Sequence, residues 1–470
     1  MFTQFSSEGS VSTKSLWSLR SIPVRLLAGD ILGLIICLTF ALWLRLGEPV
    51  NWFNPILYAF VLFVLAGLYL ADTYKPDTQI AGLRAPARIL LCSVVVGVTS
   101  AGLIYLSGAW RENPLLWRSV ILPSLGLFTV WAIALRMMAV GWMRLDVQQS
   151  RWLILGCSET TSNFAQDFLA STPLGRLVVL TEDSQNCTQF TNTNLHCVGN
   201  ISELSSWISQ PWSGILVGSN VELSNAQVQQ LMQMRLQGTP VYKLPDFYES
   251  LWYKLPSSLL HDTWFAFSAG FNLVQGRINS KLKRFVDIIA MTLLLVILSP
   301  LMLLAALAIK LDSPGPIFYS QIRNGLHGKP FRVYKFRSMY KDAEKRGIQW
   351  AQERDPRITR VGYWIRMLRI DELPQIWNVL RGEMSLIGPR PERPEFDLKL
   401  KEAIPYYEVR YLVKPGITGW AQVMYPYGAS VEDSYEKLAY DLYYIKNYSL
   451  LLDIAIAFKT VRVVLLGKGR

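Results

Sequence analysis

Four apolar runs crowded into the first third of the chain constrain its fold more than any other feature. They cover residues 22–44, 56–70, 89–106 and 115–138, separated by breaks rich in Gly, Pro, Asn and Asp. A hydrocarbon core of about 30 Å offers no water to backbone N–H and C=O groups, so such runs are expected to be helices that cross it. The second run is short and reaches that length only if extended at its start. Flanking charge alternates. Lys14, Arg20 and Arg25 precede the first run, Lys75, Arg84 and Arg88 lie between the second and third, and Arg136, Arg144 and Arg151 close the fourth. The other two loops carry only Arg45, Arg111 and Arg118. The positive-inside rule then places both ends of a four-helix unit in the cytoplasm. The polar, Ser-rich start has no cleavage pattern and reads as a cytoplasmic tail, not a secretory signal. Asp30 sits inside the first run, either as an intramembrane functional carboxylate or as a group reaching the interface.

Residues 151–270 read as an α/β unit. Strands are expected over 152–155, 177–180, 215–218 and 241–244, with helices over 161–170 and 225–236. That alternation predicts a parallel, Rossmann-like sheet. The turn after the first strand, Gly156-Cys-Ser-Glu-Thr-Thr161, lacks the second and third glycines of the dinucleotide fingerprint. The unit is therefore expected to serve structure or assembly, with small-ligand sensing as the other reading.

A basic neck, Lys281, Lys283 and Arg284, leads into a fifth apolar run over 285–309 with Ser299-Pro300 at its middle. Basic residues also follow it: Lys310, Arg323, Lys329, Arg332 and Lys335. One crossing would leave one basic flank outside. A helix broken at Pro300 that enters and leaves on the cytoplasmic side satisfies both flanks.

From Lys281 onward the chain holds 30 Lys and Arg against 19 Asp and Glu, most of the overall +12. A basic part beside a lipid part suits anionic head groups or phosphorylated substrates. With no long Lys/Arg run and no nucleic-acid motif, no nucleic-acid partner is expected. The five cysteines show no CxxC spacing, and His196, His261 and His327 do not cluster. Zinc and a histidine triad are therefore not expected.

Two strands, 317–323 and 329–339, are joined by a Gly-containing turn, and period two places Lys335 and Arg337 on one face of the second. That suits an anionic ligand, or simply a solvated, lysine-protected edge. Asp355-Pro-Arg357 and a helix over 359–369 carry Arg357, Arg360, Arg366 and Arg369, with Arg354 just before. Asp371-Glu372 then opens the next helix, Pro374 is tolerated in its first turn, Gly382 ends it, and Gly388-Pro-Arg-Pro391 presents Arg390. A carboxylate can attack phosphorus if arginines, a helix N-terminus and a divalent cation relieve the charge. Mg²⁺ commonly takes one or two carboxylates plus substrate phosphates. Adjacent helical residues point about 100° apart, so Asp371 and Glu372 would divide these tasks. Taken by itself, the pair reads first as a helix cap. The aromatic-rich end (Tyr406, Tyr407, Trp420, Tyr425, Tyr427, Tyr440, Tyr443, Tyr444) marks either an interfacial surface or a core. The apolar stretch 450–466, carrying Asp453, Lys459 and Arg462, is expected to pack on the domain or lie in the interface.

The region from Lys283 to Arg470 closely resembles the bacterial sugar transferases, the monotopic polyprenyl-phosphate hexose-1-phosphate transferases. The resemblance rests on Lys283-Arg-Phe-Val-Asp287, Ser299-Pro300, Gln321-Ile-Arg-Asn-Gly325, Lys335-Phe-Arg-Ser-Met339, Asp355-Pro-Arg357, Asp371-Glu-Leu-Pro-Gln375, Gly388-Pro-Arg-Pro391 and Lys414-Pro-Gly-Ile-Thr-Gly419. The helices and Rossmann-like unit ahead of it resemble the long form, and residues 425–432 the exopolysaccharide subgroup. The resemblance implies transfer of a hexose-1-phosphate from a UDP-sugar to undecaprenyl phosphate, releasing UMP, with Mg²⁺. It implies Asp371 as nucleophile and Glu372 as metal ligand or proton handler, both near the metal. Lys335, Arg337, Arg357, Arg360, Arg366 and Arg390 would contact phosphate or nucleotide, and Lys283, Arg284, Ser299 and Pro300 the lipid interface. The expected fold is a membrane α/β protein: a tail (1–21), four transmembrane helices (22–145), a Rossmann-like domain (146–270), a linker with a re-entrant membrane helix (271–311) and a monotopic α/β catalytic domain (312–470). It would sit in the bacterial cytoplasmic membrane with the catalytic domain on the cytoplasmic face, and the four-helix unit and the Rossmann-like domain could serve a homodimer. A non-enzymatic regulatory or scaffolding protein of polysaccharide assembly is the rival class.

Overall fold

The computed structural model describes residues 15–47, 55–71, 73–74, 84–108, 111, 116–148, 150–156, 158–171, 176–181, 195–218, 221–271, 277–341, 343, 355–425, 428 and 430–465. Arg354, Tyr427, Cys157, Cys187, Lys14 and Lys75 lie outside them. Contacts divide the chain into two compact units, Met1–Lys243 and Leu244–Arg470.

The first unit begins with α1 (Ser15–Leu46), α2 (Pro55–Leu70), α3 (Arg84–Ser107) and α4 (Arg118–Gln148). Helix α1 starts at Ser15, inside the segment expected to be a tail. Three of these helices are long and apolar enough to cross a membrane, over Ile22–Arg45, Pro86–Ser107 and Arg118–Gly141. Helix α2 has 16 residues, about 24 Å at 1.5 Å per residue, and falls short of a full crossing. Leu34, Val64, Leu68, Ile89 and Phe128 interlock at the centre of the bundle. Asp30 does not lie on the surface of the bundle. It is fully buried, and Arg136 of α4 donates to both its oxygens at 2.5 and 2.6 Å. The same guanidinium reaches Thr73 Oγ1 at 3.2 Å and lies over the Tyr74 ring at 5.2 Å. A carboxylate is tolerated here because its countercharge is built into the facing helix.

The sheet of this unit holds β1 (Arg151–Leu155), β2 (Arg176–Thr181), β3 (Leu195–Asn200), β4 (Gly214–Val217) and β5 (Val241–Lys243). All pairings are parallel, in the order β3-β2-β1-β4-β5. Helices α5 (Glu159–Ser171), α6 (Leu204–Trp207) and α7 (Asn225–Leu236) connect the strands. Strand β3 was not expected, since its Leu-His-Cys-Val-Gly-Asn sequence carries little alternation. The doubly wound order puts its switch point between β1 and β4, where such sheets bind ligands. On the turn that follows β1, Gly156 has φ +94°, and a Cβ there would lie 2.0 Å from Val221 Cγ2, so Val221 packs directly on that turn.

The second unit opens with α8 (Leu244–Trp252) and α9 (Asp262–Phe267). Leu255, Leu260 and Trp264 share a core with Leu400, Tyr407, Leu438 and Leu442. Residues 244–270 therefore belong by packing with the C-terminal domain, although they were expected to complete the Rossmann-like unit. Helix α10 (Arg277–Asp312) follows. It stays helical through Pro300, where a break was expected. Pro300 has no N–H for the Val296 carbonyl, and the Ser299 hydroxyl takes that carbonyl instead at 2.9 Å.

The remainder comprises the antiparallel pair β6 (Phe318–Asn324) and β7 (Pro330–Phe336), then α11 (Arg360–Met367), a 3₁₀ segment (Ile370–Gln375) running into α12 (Ile376–Arg381), and β8 (Ser385–Ile387). Helix α13 (Pro394–Ala403), a 3₁₀ turn (Tyr407–Leu412), β9 (Gly416–Thr418) parallel to β8, α14 (Trp420–Met424), α15 (Val431–Lys446) and α16 (Leu450–Leu465) complete it. The C-terminal aromatics chiefly form core: Tyr407, Tyr411, Trp420 and Tyr444 are buried. Helix α16 packs through Ile456 and Asp453, while Leu451, Ile454, Phe458 and Val461 form an exposed apolar stripe.

Candidate active site

Three local features bring the site together. The β6–β7 register pairs Tyr319 with Lys335, Gln321 with Val333 and Arg323 with Phe331, so Arg323 and Lys335 share a face. Helix α11 is capped by Thr359, whose hydroxyl accepts from Gly362 N–H at 2.9 Å, and stops at Arg369 in the left-handed region (φ 55°). That residue turns the chain into the 3₁₀ segment carrying Asp371 and Glu372. Gly382 ends α12 at φ +86°. Neither acid serves as a cap: the cap positions are Arg369 and Gln375, with no side-chain cap bond.

The two acids differ sharply. Glu372 is buried, and three cations surround it: Arg390 at 2.8 Å and Lys335 at 3.1 Å on Oε1, and Arg369 at 3.4 Å on Oε2. Burial pushes its carboxyl up, but Arg390, Lys335 and Arg369 outweigh that and hold it well below the usual carboxylate range. Asp371 forms no ion pair within 4 Å among the described residues. Burial, reinforced by the charge of Glu372, raises its carboxyl above the usual range, against the pull of Lys335, Arg366 and Arg390. Burial also depresses the Lys335 ammonium, opposed by Glu372, and depresses Arg323. The result is one ionised carboxylate locked among cations and one neighbour left open.

Of the residues singled out from the sequence, Asp371, Glu372, Lys335, Arg366 and Arg390 converge here. Arg337 does not. It is buried, and its guanidinium donates to Pro314 O at 3.0 Å, Ser313 O at 2.6 Å and Ser313 Oγ at 2.9 Å, fastening the end of α10. It follows the last residue of β7, so strand alternation no longer governs its direction. Arg357 forms a local pair with Asp355, 2.6 Å between Nη2 and Oδ2. Arg360 is exposed at the start of α11. Of the basic neck, Lys281 is exposed, whereas Lys283 and Arg284 make contacts inside the domain. Lys283 is buried and donates to Asp453 Oδ2 at 2.6 Å, Ile387 O at 3.0 Å and Tyr444 Oη at 3.2 Å. Arg284 donates to Val379 O, and to Leu380 O at 2.7 Å, satisfying the carbonyl end of α12. Ser299 and Pro300 lie mid-way along α10.

Two cations that the sequence reading named without giving them a role in the site also lie here. Arg369 contacts Glu372 directly, a contact foreshadowed by its spacing of three. Arg323 braces the Pro-Arg-Pro turn by donating to Pro391 O at 3.1 Å. For Mg²⁺, the hard oxygens of Asp371 and Glu372 are the right donor type, and Asp371 is open. The described residues contain no group of three or more metal-ligating side chains, so substrate phosphates would supply the remaining ligands.

Comparison with known proteins bears on this geometry. Residues 278–467 match the model of the bacterial sugar transferase family. The chain is 46% identical over 239 residues to the UDP-N-acetylgalactosamine-undecaprenyl-phosphate N-acetylgalactosaminephosphotransferase of Aeromonas hydrophila, covering 51% of this chain and 55% of that one. It is 44% identical over 186 residues to the UDP-glucose:undecaprenyl-phosphate glucose-1-phosphate transferase of Escherichia coli, covering 39% and 40%. Against the protein of the same name from Caulobacter vibrioides it is 46% identical over 181 residues, covering 38% of this chain and 68% of that one. The chain thus spans about half or less of the length of the first two relatives.

Proposed function

The chain belongs to the bacterial sugar transferase family, and on that premise we propose that it is a phosphoglycosyl transferase. It moves a sugar-1-phosphate from a UDP-sugar to undecaprenyl phosphate, the first step in building a polysaccharide repeat unit. The observation that carries this reading is the contrast between the saturated Glu372 and the open Asp371 beside it.

An oxygen of Asp371 attacks the sugar-bearing phosphorus of the UDP-sugar. The phosphoanhydride bond breaks and UMP departs with its electron pair, leaving a sugar-phospho-aspartate. A phosphate oxygen of the lipid then attacks the same phosphorus, and the aspartyl oxygen leaves as carboxylate. Lys335, Arg366 and Arg390 oppose the negative charge gathered on the phosphoryl oxygens. Glu372 holds Lys335 and Arg390 in place. Mg²⁺, when bound by the two carboxylates and the substrate phosphates, would add Lewis-acid charge relief.

The second substrate lives in a membrane, and a re-entrant α10 brings the site to it. Two observations support re-entry. Both ends of α10 are tied to one domain, through Lys283 and Arg284 at its start and through Arg337 at its end. Met291, in the first half of α10, shares a buried cluster with Val333, Ile376 and Val379, and Ala305, in its second half, shares another with Phe336 and Ile365, so both halves join cores of the same domain. The exposed stripe of α16 suits the same lipid face, which would be the cytoplasmic one.

The test is UMP release from a panel of UDP-sugars in membranes supplied with undecaprenyl phosphate. Wild-type protein releases UMP and, without lipid acceptor, retains radiolabelled sugar-phosphate on the protein. Asp371→Asn does neither, and wild-type turnover by that variant would overturn the assignment.

A further inference from the structure

The Gly-Pro-Arg-Pro turn that carries Arg390 has few N–H groups of its own, and it is held by its carbonyls. Pro389 O accepts from Gly416 N–H at 2.9 Å, Arg390 O from Arg410 Nη2 at 2.8 Å, Pro391 O from Arg323 Nη1 at 3.1 Å and Glu392 O from Asn324 N–H at 3.0 Å. Four consecutive carbonyls are thus gripped by three different elements. Arg410 is the grip nearest the functional side chain. It is buried, lies over the Tyr407 ring at 4.9 Å and donates to the Tyr407 hydroxyl. Its Nη2 also meets Asp441 Oδ2 of α15 at 3.1 Å, and Asp441 is itself buried. One nitrogen therefore joins the Asp441 carboxylate to the backbone of Arg390.

We propose that Arg410 and Asp441 are positioning residues for the transfer reaction, setting the Arg390 guanidinium against Glu372 and the substrate phosphates without touching substrate. The inference rests on the reading of the site given above. If Asp441 loses its charge, the Arg410 fork loses its anchor, and the Arg390 turn loses one of its four grips. The guanidinium is then free to leave the Glu372 contact. A one-ångström loss of register at a phosphate clamp is expensive in rate. The groups facing Asp441 are Arg410, Glu392 and Lys437. Burial pushes its carboxyl up to about 6, with Glu392 adding to the rise and Arg410 and Lys437 opposing it. The anchoring charge is accordingly present at neutral pH and lost as pH falls through about 6.

The test is a double-mutant cycle on kcat/KM for whichever UDP-sugar supports UMP release. Asp441→Asn lowers kcat/KM by about tenfold or more in the wild type but by less than about twofold in an Arg390→Lys background. Equal losses in both backgrounds overturn the proposal. Glu392→Gln covers the case in which Asp441→Asn does not fold. Removing that negative charge makes Asp441 easier to ionise, so the difference between the acid limbs of the wild-type and Arg390→Lys backgrounds, which isolates the Asp441 step from that of Asp371, moves to lower pH, and an unmoved difference overturns the proposal. Asp371→Asn separates the two readings. If that variant turns over normally, the site assignment fails. If it is inactive while the cycle is additive, only the positioning inference fails.

Discussion

Arg390 Nη2 lies 2.8 Å from Oε1 of Glu372, and that contact joins the Pro-Arg-Pro turn to the acid pair across 18 residues of sequence. It makes Glu372 the centre of the cation cluster, while its neighbour Asp371 forms no ion pair among the described residues. The carboxylates share a peptide bond but not an environment, which is how two acids of one type acquire two roles.

Replacing Glu372 with Gln should therefore act on Asp371 as well as on the cations. The negative charge of Glu372 helps keep the Asp371 carboxyl raised. An acid with a raised value is ionised, and so nucleophilic, only above that value. In wild type the acid limb of activity thus sits above the ordinary carboxylate range. Glu372→Gln should move it to lower pH while cutting kcat/KM by about 100-fold or more through loss of the Arg390 and Lys335 anchor. A pH–rate series on UMP release checks both; a limb that stays in place contradicts the coupling.

Arg284 should behave as a structural clamp. Removing its side chain strands the carbonyls of Val379 and Leu380 at the end of α12, which begins one residue beyond the acid-bearing turn. Arg284→Ala should cost about 1–3 kcal/mol, and Arg284→Lys less. Thermal unfolding of the detergent-solubilised protein reads the difference, and an unchanged midpoint for Arg284→Ala would refute the clamp.

Within the helical bundle, Arg136→Ala should leave Asp30 buried without its countercharge. Breaking a buried pair on one side costs about 3–5 kcal/mol. The exchange Asp30→Arg with Arg136→Asp should recover part of that stability. Folded yield and melting after detergent extraction test this, and a double variant no better than the single ones would argue against a pairwise tie.

Re-entry of α10 predicts that Lys281→Cys and Lys310→Cys, in a background lacking the five native cysteines, are both shielded from an impermeant thiol reagent applied to intact cells. Both should react after permeabilisation. Labelling of one flank alone from outside would identify a simple crossing.

The physical signals written locally in this sequence were legible from it. Apolar run length announced α1, α3, α4 and α10. Alternation of apolar runs and turn residues gave four of the five parallel strands and the β6–β7 pair, and Asn225–Leu236 emerged as a helix with the expected ends. The acid pair, Lys335, Arg366 and Arg390 could be named because their motifs are short and contiguous. Charge partners separated by long stretches of chain could not be read. Lys283 and Arg284 looked like a membrane-facing basic neck, yet their partners, Asp453 and Val379, lie 170 and 95 residues away. Arg337 followed a strand period that ended one residue before it. The Arg410–Asp441 grip on Arg390 joins three segments that no local pattern connects. A side chain's period along its own element decides which face it leaves from. Only the packed chain decides whether that face meets a carboxylate, a carbonyl or the substrate, because desolvation and pairing depend on what the rest of the fold brings within a few ångströms.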